Sequence, residues 1–180
     1  TMLAMGADPK LVDEDAALAA LEKIAQANAD GQFRAFTGNE YLRSLESGDF
    51  VACVAWSGDV VQLDPELGIQ FVSPEAGAMS WYDTTVIPKG APNGAAAPAW
   101  MNYVYDPVQA AQITAWVQYV SPVKGVRDEL VKLGGDAAAL ADSTILFPSD
   151  EDAARLNVFA SLPDEIDASL SERFNQIIGG

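Results

Sequence analysis

Residues 47–59 read SGDFVACVAWSGD. Val51 to Trp56 is an unbroken apolar run of strand length, without the polar alternation of a half-solvated strand. A strand covered on both faces reads this way, and such strands belong to parallel sheets. A Ser-Gly-Asp turn bounds the run on each side. The downstream turn leads at once into Val60 to Leu63, which reads as a short helix.

Outward from this run, strands and helices alternate. On the N-terminal side, Asp13 or Asp15 caps a predicted helix reaching about Asn28, with Leu18, Leu21, Ile24 and Ala25 on one face. Gln32 to Phe36 is a short strand candidate. A short helix carrying Tyr41, Leu42 and Leu45 then closes at Ser47-Gly48-Asp49. On the C-terminal side, Gly68 to Val72 and Met79 to Ile87 read as strands, and Pro88 ends the second. Asn93 to Tyr105 is helical, with its start near Pro98. Asp106-Pro107 restarts a helix to about Val117, a cap followed by proline at the first position. Tyr119 to Pro122 is extended, and Val123 to Leu133 is helical, closing at Gly134-Gly135. Ser149 caps a helix containing Ala153, Leu156 and Asn157. Pro163-Asp164 opens the last helix, striped by Ile166, Leu170, Phe174 and Ile177. The pattern fits an α/β layer fold with a partly parallel sheet.

Composition narrows the function classes. The 180 residues are 49% apolar, with 26 acidic against 10 basic side chains and a formal charge of −16. The isoelectric point is about 4.1 and the mean hydropathy +0.07. A chain of this length buries roughly 70% of its unfolded surface, so it can form a core, and disorder does not fit its apolar content. The charge repels phosphate backbones, which argues against a nucleic-acid binder. With no histidine and one cysteine, there is no Ser-His-Asp or Cys-His catalysis, no imidazole metal ligand and no internal disulfide. No apolar run approaches a membrane span, and Thr1 to Lys10 has neither the basic start nor the apolar stretch of a signal peptide. The Thr-Met start is expected of a trimmed chain. The acidic balance reads first as solubility; a sharper reading is a field that attracts a cationic ligand.

Two constellations carry chemistry. Trp56 and Asp59 fall where the apolar strand ends, the place where open α/β sheets collect ligands. Trp56 offers an aromatic face and Asp59 a charge; alternatively Trp56 is core and Asp59 caps a helix beside Gly58. In a strand, Trp81 and Asp83 point to one face. An indole beside a carboxylate suits an ammonium group, through the ring face and a charge-assisted hydrogen bond. The other reading is a partly exposed edge strand whose Asp83 meets water or an internal arginine. The acid runs Asp13-Glu14-Asp15 and Asp150-Glu151-Asp152 complement helix starts. Asp64 and Glu66 read as solvated loop carboxylates rather than a catalytic pair, and Cys53 as a small buried hydrophobe.

Several collinear segments resemble the C-terminal half of spermidine/putrescine (polyamine) binding proteins, the extracytoplasmic receptors of bacterial ABC importers. SGDFVACVAWSGD (47–59) resembles the family's strand ending in a Trp-x-Gly turn. SPEAGAMSWYDTTVIPKGAPN (73–93) resembles its Trp-x-Asp strand and the Ile-Pro turn after it. WMNYVYDPVQAAQ (100–112), YVSP (119–122) and LFP (146–148) resemble its later helix and turns. Together they cover most of residues 45–150.

The resemblance implies an α/β, periplasmic binding protein-like fold of type II, with two lobes closing on ligand about a hinge. It implies that residues 1–80 are an α/β segment of the second lobe and that 81–121 form a hinge strand and crossover into the first. Residues 122–180 would then be C-terminal helices returning to the second lobe, and the chain a fragment lacking most of the first. It further implies a small cationic amine as ligand, bound by Trp56, Trp81 and Asp83, and an importer permease as partner. The location would be periplasmic, or extracellular and membrane-anchored, with no cofactor, metal or catalysis. Two departures bear on the ligand. The family's acidic pair for the distal amine falls upstream of Thr1, and a ligand-contacting glutamine of some members falls near Phe159. Rival expectations are the same fold with another small solute, such as an amino acid derivative, a carboxylate-pair hydrolase, or a fragment that binds nothing alone.

Overall fold

The structure, a computed structural model, describes residues 1–179. It is mostly helical. In chain order the helices are α1 (Glu14–Ala29), α2 (Tyr41–Glu46), α3 (Ser57–Val61), α4 (Ala97–Val104), α5 (Pro107–Val117), α6 (Val126–Leu133), α7 (Gly135–Leu140), α8 (Asp150–Ala154) and α9 (Asp164–Ile178). Two short strands, β1 (Ala78–Met79) and β2 (Leu156–Asn157), pair in parallel. The chain divides into two compact units: 1–51 with 72–81 and 152–180, and 52–71 with 82–151.

In the first unit, Asp13 caps α1 by accepting from the Ala16 N–H at 2.9 Å. This satisfies an end donor that the helix cannot satisfy itself. Helices α1 and α9 pack together. Asn28 Nδ2 donates to the Ile177 carbonyl at 3.0 Å, and Arg173 reaches Glu22 with Nε at 2.9 Å and Nη2 at 2.6 Å. Both pairs advance along the two helices together, so the helices run in the same sense. The β1–β2 ladder aligns Ala78 with Leu156 and Met79 with Asn157. Gly77 makes that approach possible: its φ is +98°, and a Cβ there would stand 2.6 Å from the Arg155 carbonyl oxygen.

In the second unit, the core is a helical cluster. Ala110 and Ala111 of α5 pack with Val126 and Leu130 of α6 and with Ala141 beyond α7. Small residues on α5 let α6 come close, and Leu130 is completely buried. Asp106 starts α5 by accepting from the Val108 and Gln109 N–H groups at 3.0 and 3.4 Å. Arg127 lies over the Phe147 ring, 5.5 Å from its centroid, and donates through Nε to the Ala141 carbonyl at 2.8 Å.

The helical expectations hold for α1, α2, α4, α5, α6 and α9, and the sheet is far smaller than the sequence pattern predicts. Residues 51–56, 68–72 and 81–87 carry no strand, nor do 32–36. Val51 and Val54 are 101% and 97% exposed, so the apolar run is not covered on both faces. An extended segment becomes a strand only when a neighbour exchanges ladder hydrogen bonds with it, and apolar composition alone does not supply one. Cys53 in that run is exposed rather than core. The Phe33 ring instead packs on Phe36 at 5.2 Å, and Phe36 meets Phe174 edge-on at 6.3 Å. Two further corrections concern the second half. Gly134 ends α6, yet α7 begins at Gly135 rather than a loop. Leu156 and Asn157 leave the helix and form β2, held by Ala78 N–H to the Arg155 carbonyl at 3.2 Å and Ser80 N–H to the Asn157 carbonyl at 2.7 Å.

Candidate functional site

The WSGD turn at 56–59 lies within the second unit and is built from two distant stretches of chain. Trp56 stands at the N-cap position of α3 with φ −76° and ψ 135°, and its side chain makes no capping hydrogen bond. Its carbonyl accepts the Val60 N–H at 3.4 Å, tying the Trp56 peptide to the helix that follows. The residue is 43% exposed, so its indole is not core. Asp59 is not the cap; it lies in the first turn of α3.

Asp59 is held from the other stretch. The Tyr119 hydroxyl donates to Asp59 Oδ1 at 2.8 Å. A hydroxyl donating to a carboxylate is a charge-assisted bond, stronger than its neutral counterpart. The Tyr119 ring lies against Gly58, where any Cβ would stand 2.2 Å from it. Gln62 Nε2 donates to the Gly58 carbonyl at 3.1 Å and to the Val117 carbonyl at 3.3 Å, joining the end of α3 to the end of α5.

The approach of Tyr119 depends on how α5 ends. Gln118 closes the helix in the left-handed region, φ 56° and ψ 37°, with its N–H donating to the Thr114 carbonyl at 2.8 Å. It is the non-glycine residue with positive φ among the described residues. Such a conformation costs on the order of 1–2 kcal/mol in a residue with a Cβ. Its side-chain Oε1 is buried without a hydrogen-bond partner.

The other sequence-predicted site residues lie outside this turn in the chain. Trp81 is 46% exposed and closes a segment of the first unit, while Trp56 and Asp83 belong to the second. Asp83 is exposed, in a stretch without regular secondary structure, so the alternation argument for a shared Trp81–Asp83 face loses its strand. Phe159 is 69% exposed and lines a groove of about 390 Å³ in the first unit with Leu11, Leu162, Ile166 and Leu170. The acids on its rim have local work, Asp13 as the cap of α1 and Asp164 in the first turn of α9. Asp64 and Glu66 form no catalytic pair, because Asp64 Oδ1 accepts the Glu66 N–H at 2.9 Å and starts a tight turn. Among the described residues, no cluster of three or more Cys, Asp or Glu side chains is arranged to hold a metal ion.

Sequence reasoning missed Tyr119 and Gln62 as parts of this site. The signal for Tyr119 was the YVSP stretch, whose link to Asp59 spans 60 residues.

Comparison with known proteins gives the class. A family profile described as "Bacterial extracellular solute-binding protein" matches residues 1–143, and the chain belongs to that family. The family is one of binding components of transport rather than enzymes. The chain is 26% identical over 152 residues to the putrescine-binding periplasmic protein SpuD of Pseudomonas aeruginosa (strain UCBPP-PA14), covering 81% of this chain and 40% of that protein. It is 30% identical over 98 residues to the putrescine-binding periplasmic protein PotF of Escherichia coli (strain K12), covering 51% of this chain and 26% of that protein. The chain thus spans less than half the length of these relatives. Among the described residues, no helix is long and apolar enough to cross a membrane.

Proposed function

We propose that the chain is part of the extracytoplasmic receptor of an ABC importer, and that its solute is a cationic polyamine of the putrescine or spermidine type. In this reading Trp56 and Trp81 stack on the alkyl chain and cation, and Asp83 pairs with an ammonium group. Lobe closure sequesters the ligand from water. Residues 1–80 belong to one lobe, 81–121 pass into the other, and 122–180 return. The receptor works in the periplasm, or anchored outside the cell membrane, and delivers its amine to the permease.

The observation that carries the reading is the exposed Trp56 indole at the start of α3, in a chain whose relatives are named for putrescine binding. The charge of −16 supports it, since an acidic field concentrates cations and repels anions. Calorimetry on the full-length protein with putrescine, spermidine and a neutral diol of matching length tests it. Heat is expected with the amines alone, with affinity weakened about tenfold or more in Asp83→Ala. Silence with every amine, or an unchanged affinity in Asp83→Ala, defeats the reading. Heat with an amino acid derivative in place of the amines would move the assignment to another solute on the same fold.

A further inference from the structure

We propose that Tyr119 is a positioning residue: through Asp59 and Gly58 it sets the direction in which α3 presents the Trp56 indole. The role given to Trp56 rests on the function proposed above, but the geometry that fixes Trp56 does not.

Helix α3 has five residues. Isolated helices of that length do not hold their shape in water, so its orientation must come from tertiary contacts. The end of α5 supplies such contacts. The Tyr119 hydroxyl bonds Asp59 at 2.8 Å, the Tyr119 ring covers Gly58, and Gln62 bridges the Gly58 and Val117 carbonyls. Asp59 and Gly58 lie three and two residues beyond Trp56, within the turn whose first bond is accepted by the Trp56 carbonyl. A rotation of α3 about its own axis would therefore swing the Trp56 Cα–Cβ bond with it.

The strained end of α5 supports the same conclusion from a separate observation. Gln118 sits in a left-handed conformation that its side chain disfavours, and its Oε1 is buried without a partner. Backbone strain of this kind persists only where the surroundings over-determine it. What the strained residue achieves is to turn the chain so that Tyr119 meets Asp59. The clamp acts on the turn that carries Trp56, and it requires no contact between Tyr119 and ligand.

The test uses the full-length protein labelled with ¹⁵N, reading the indole N–H signals, with the Trp56 signal assigned by Trp56→Phe. Tyr119→Phe keeps the ring on Gly58 and removes the hydroxyl. The Trp56 signal is expected to shift or broaden in Tyr119→Phe and in Asp59→Ala, and the double variant to add little beyond either single one. Val131→Ala, at an exposed position on α6 of the same unit, is expected to leave the Trp56 signal in place. In the calorimeter, Tyr119→Phe is expected to weaken amine binding about tenfold. An unmoved Trp56 signal in Tyr119→Phe overturns the positioning role whether or not amines bind. A moved Trp56 signal in a protein that gives no heat with amines upholds the clamp and defeats the proposed function instead.

Discussion

A Cβ built on Gly58 would stand 2.2 Å from two carbons of the Tyr119 ring and 2.7 Å from its Cγ. Contacts that close do not occur, so one side must move. The Cγ contact lies at the root of the side chain, and the ring is tethered at its far end by the bond to Asp59. Gly58→Ala is therefore expected to destabilise by about 1–3 kcal/mol, the usual cost of overpacking. In an open helix the same change would gain up to ~1 kcal/mol. Thermal melts decide the sign, and a melting temperature equal to or above wild type would show that the ring is not against Gly58.

Asp106 stands at the entrance to α5, which supplies the buried alanines of the core. Its carboxylate accepts from two N–H groups that the helix leaves unpaired. Asp106→Ala is expected to cost about 1 kcal/mol, and Asp106→Asn much less, because an amide oxygen caps nearly as well. Urea unfolding of both variants checks this through the midpoints. Equal losses in the two would assign the effect to charge rather than to capping.

Leu130 is fully buried among Ala110, Ala111, Val126 and Ala141. With small neighbours on α5, little can collapse into the space a truncation leaves. Leu130→Ala is expected to cost about 2–5 kcal/mol. A second unit of this size has little stability to spare, and a loss below ~1 kcal/mol would mean the helical cluster is not its core.

What the sequence made legible was local. Asp13, Asp106-Pro107 and Pro163 act over three or four residues, so the starts of α1, α5 and α9 could be read directly. What it hid depends on partners far along the chain. Whether Val51 to Trp56 forms a ladder is decided by another segment, not by its own apolarity. Leu156 continues a helical pattern, yet it pairs with Ala78, far earlier in the chain, and Gly77 makes the room. The Gly134-Gly135 pair shows the limit of a stop signal: Gly134 ends α6 with φ +74° and ψ −177°, and the next helix starts at once. In the candidate site, Trp56 was visible because it borders a turn. Tyr119 was visible only as part of a resembling motif, because its hydrogen bond to Asp59 is tertiary.

The Arg173–Glu22 pair joins α9 to α1 at the surface, with side chains 35% and 62% exposed. Both guanidinium donors reach the same oxygen, Oε1, so the pair lacks the two-oxygen fork that gives arginine its strongest grip. Solvent screening then limits it to about 0.2–1 kcal/mol. Glu22→Gln is expected to lower stability by no more than that, and the difference from wild type is expected to vanish in 1 M salt, where screening acts within about 3 Å. Chemical denaturation with urea at low and high salt measures both, and a larger loss that persists in salt would point to a packing role for Glu22.

Cys53 gives the most direct check on the apolar run. The residue is exposed, and partial burial of its thiol raises its pKa. The reactive species is the thiolate. Raising the thiol pKa makes that species scarcer at neutral pH and moves its appearance to higher pH. Because the residue is exposed, the folded protein is nevertheless expected to react completely with a maleimide or an aromatic disulfide without denaturant. The rate is expected to climb steadily with pH past the ordinary thiol range instead of levelling off within it. A thiol that reacts only after unfolding would mean that Val51 to Trp56 is covered on both faces, as its sequence predicts. That result would overturn the exposed conformation of the run and replace it with a paired strand.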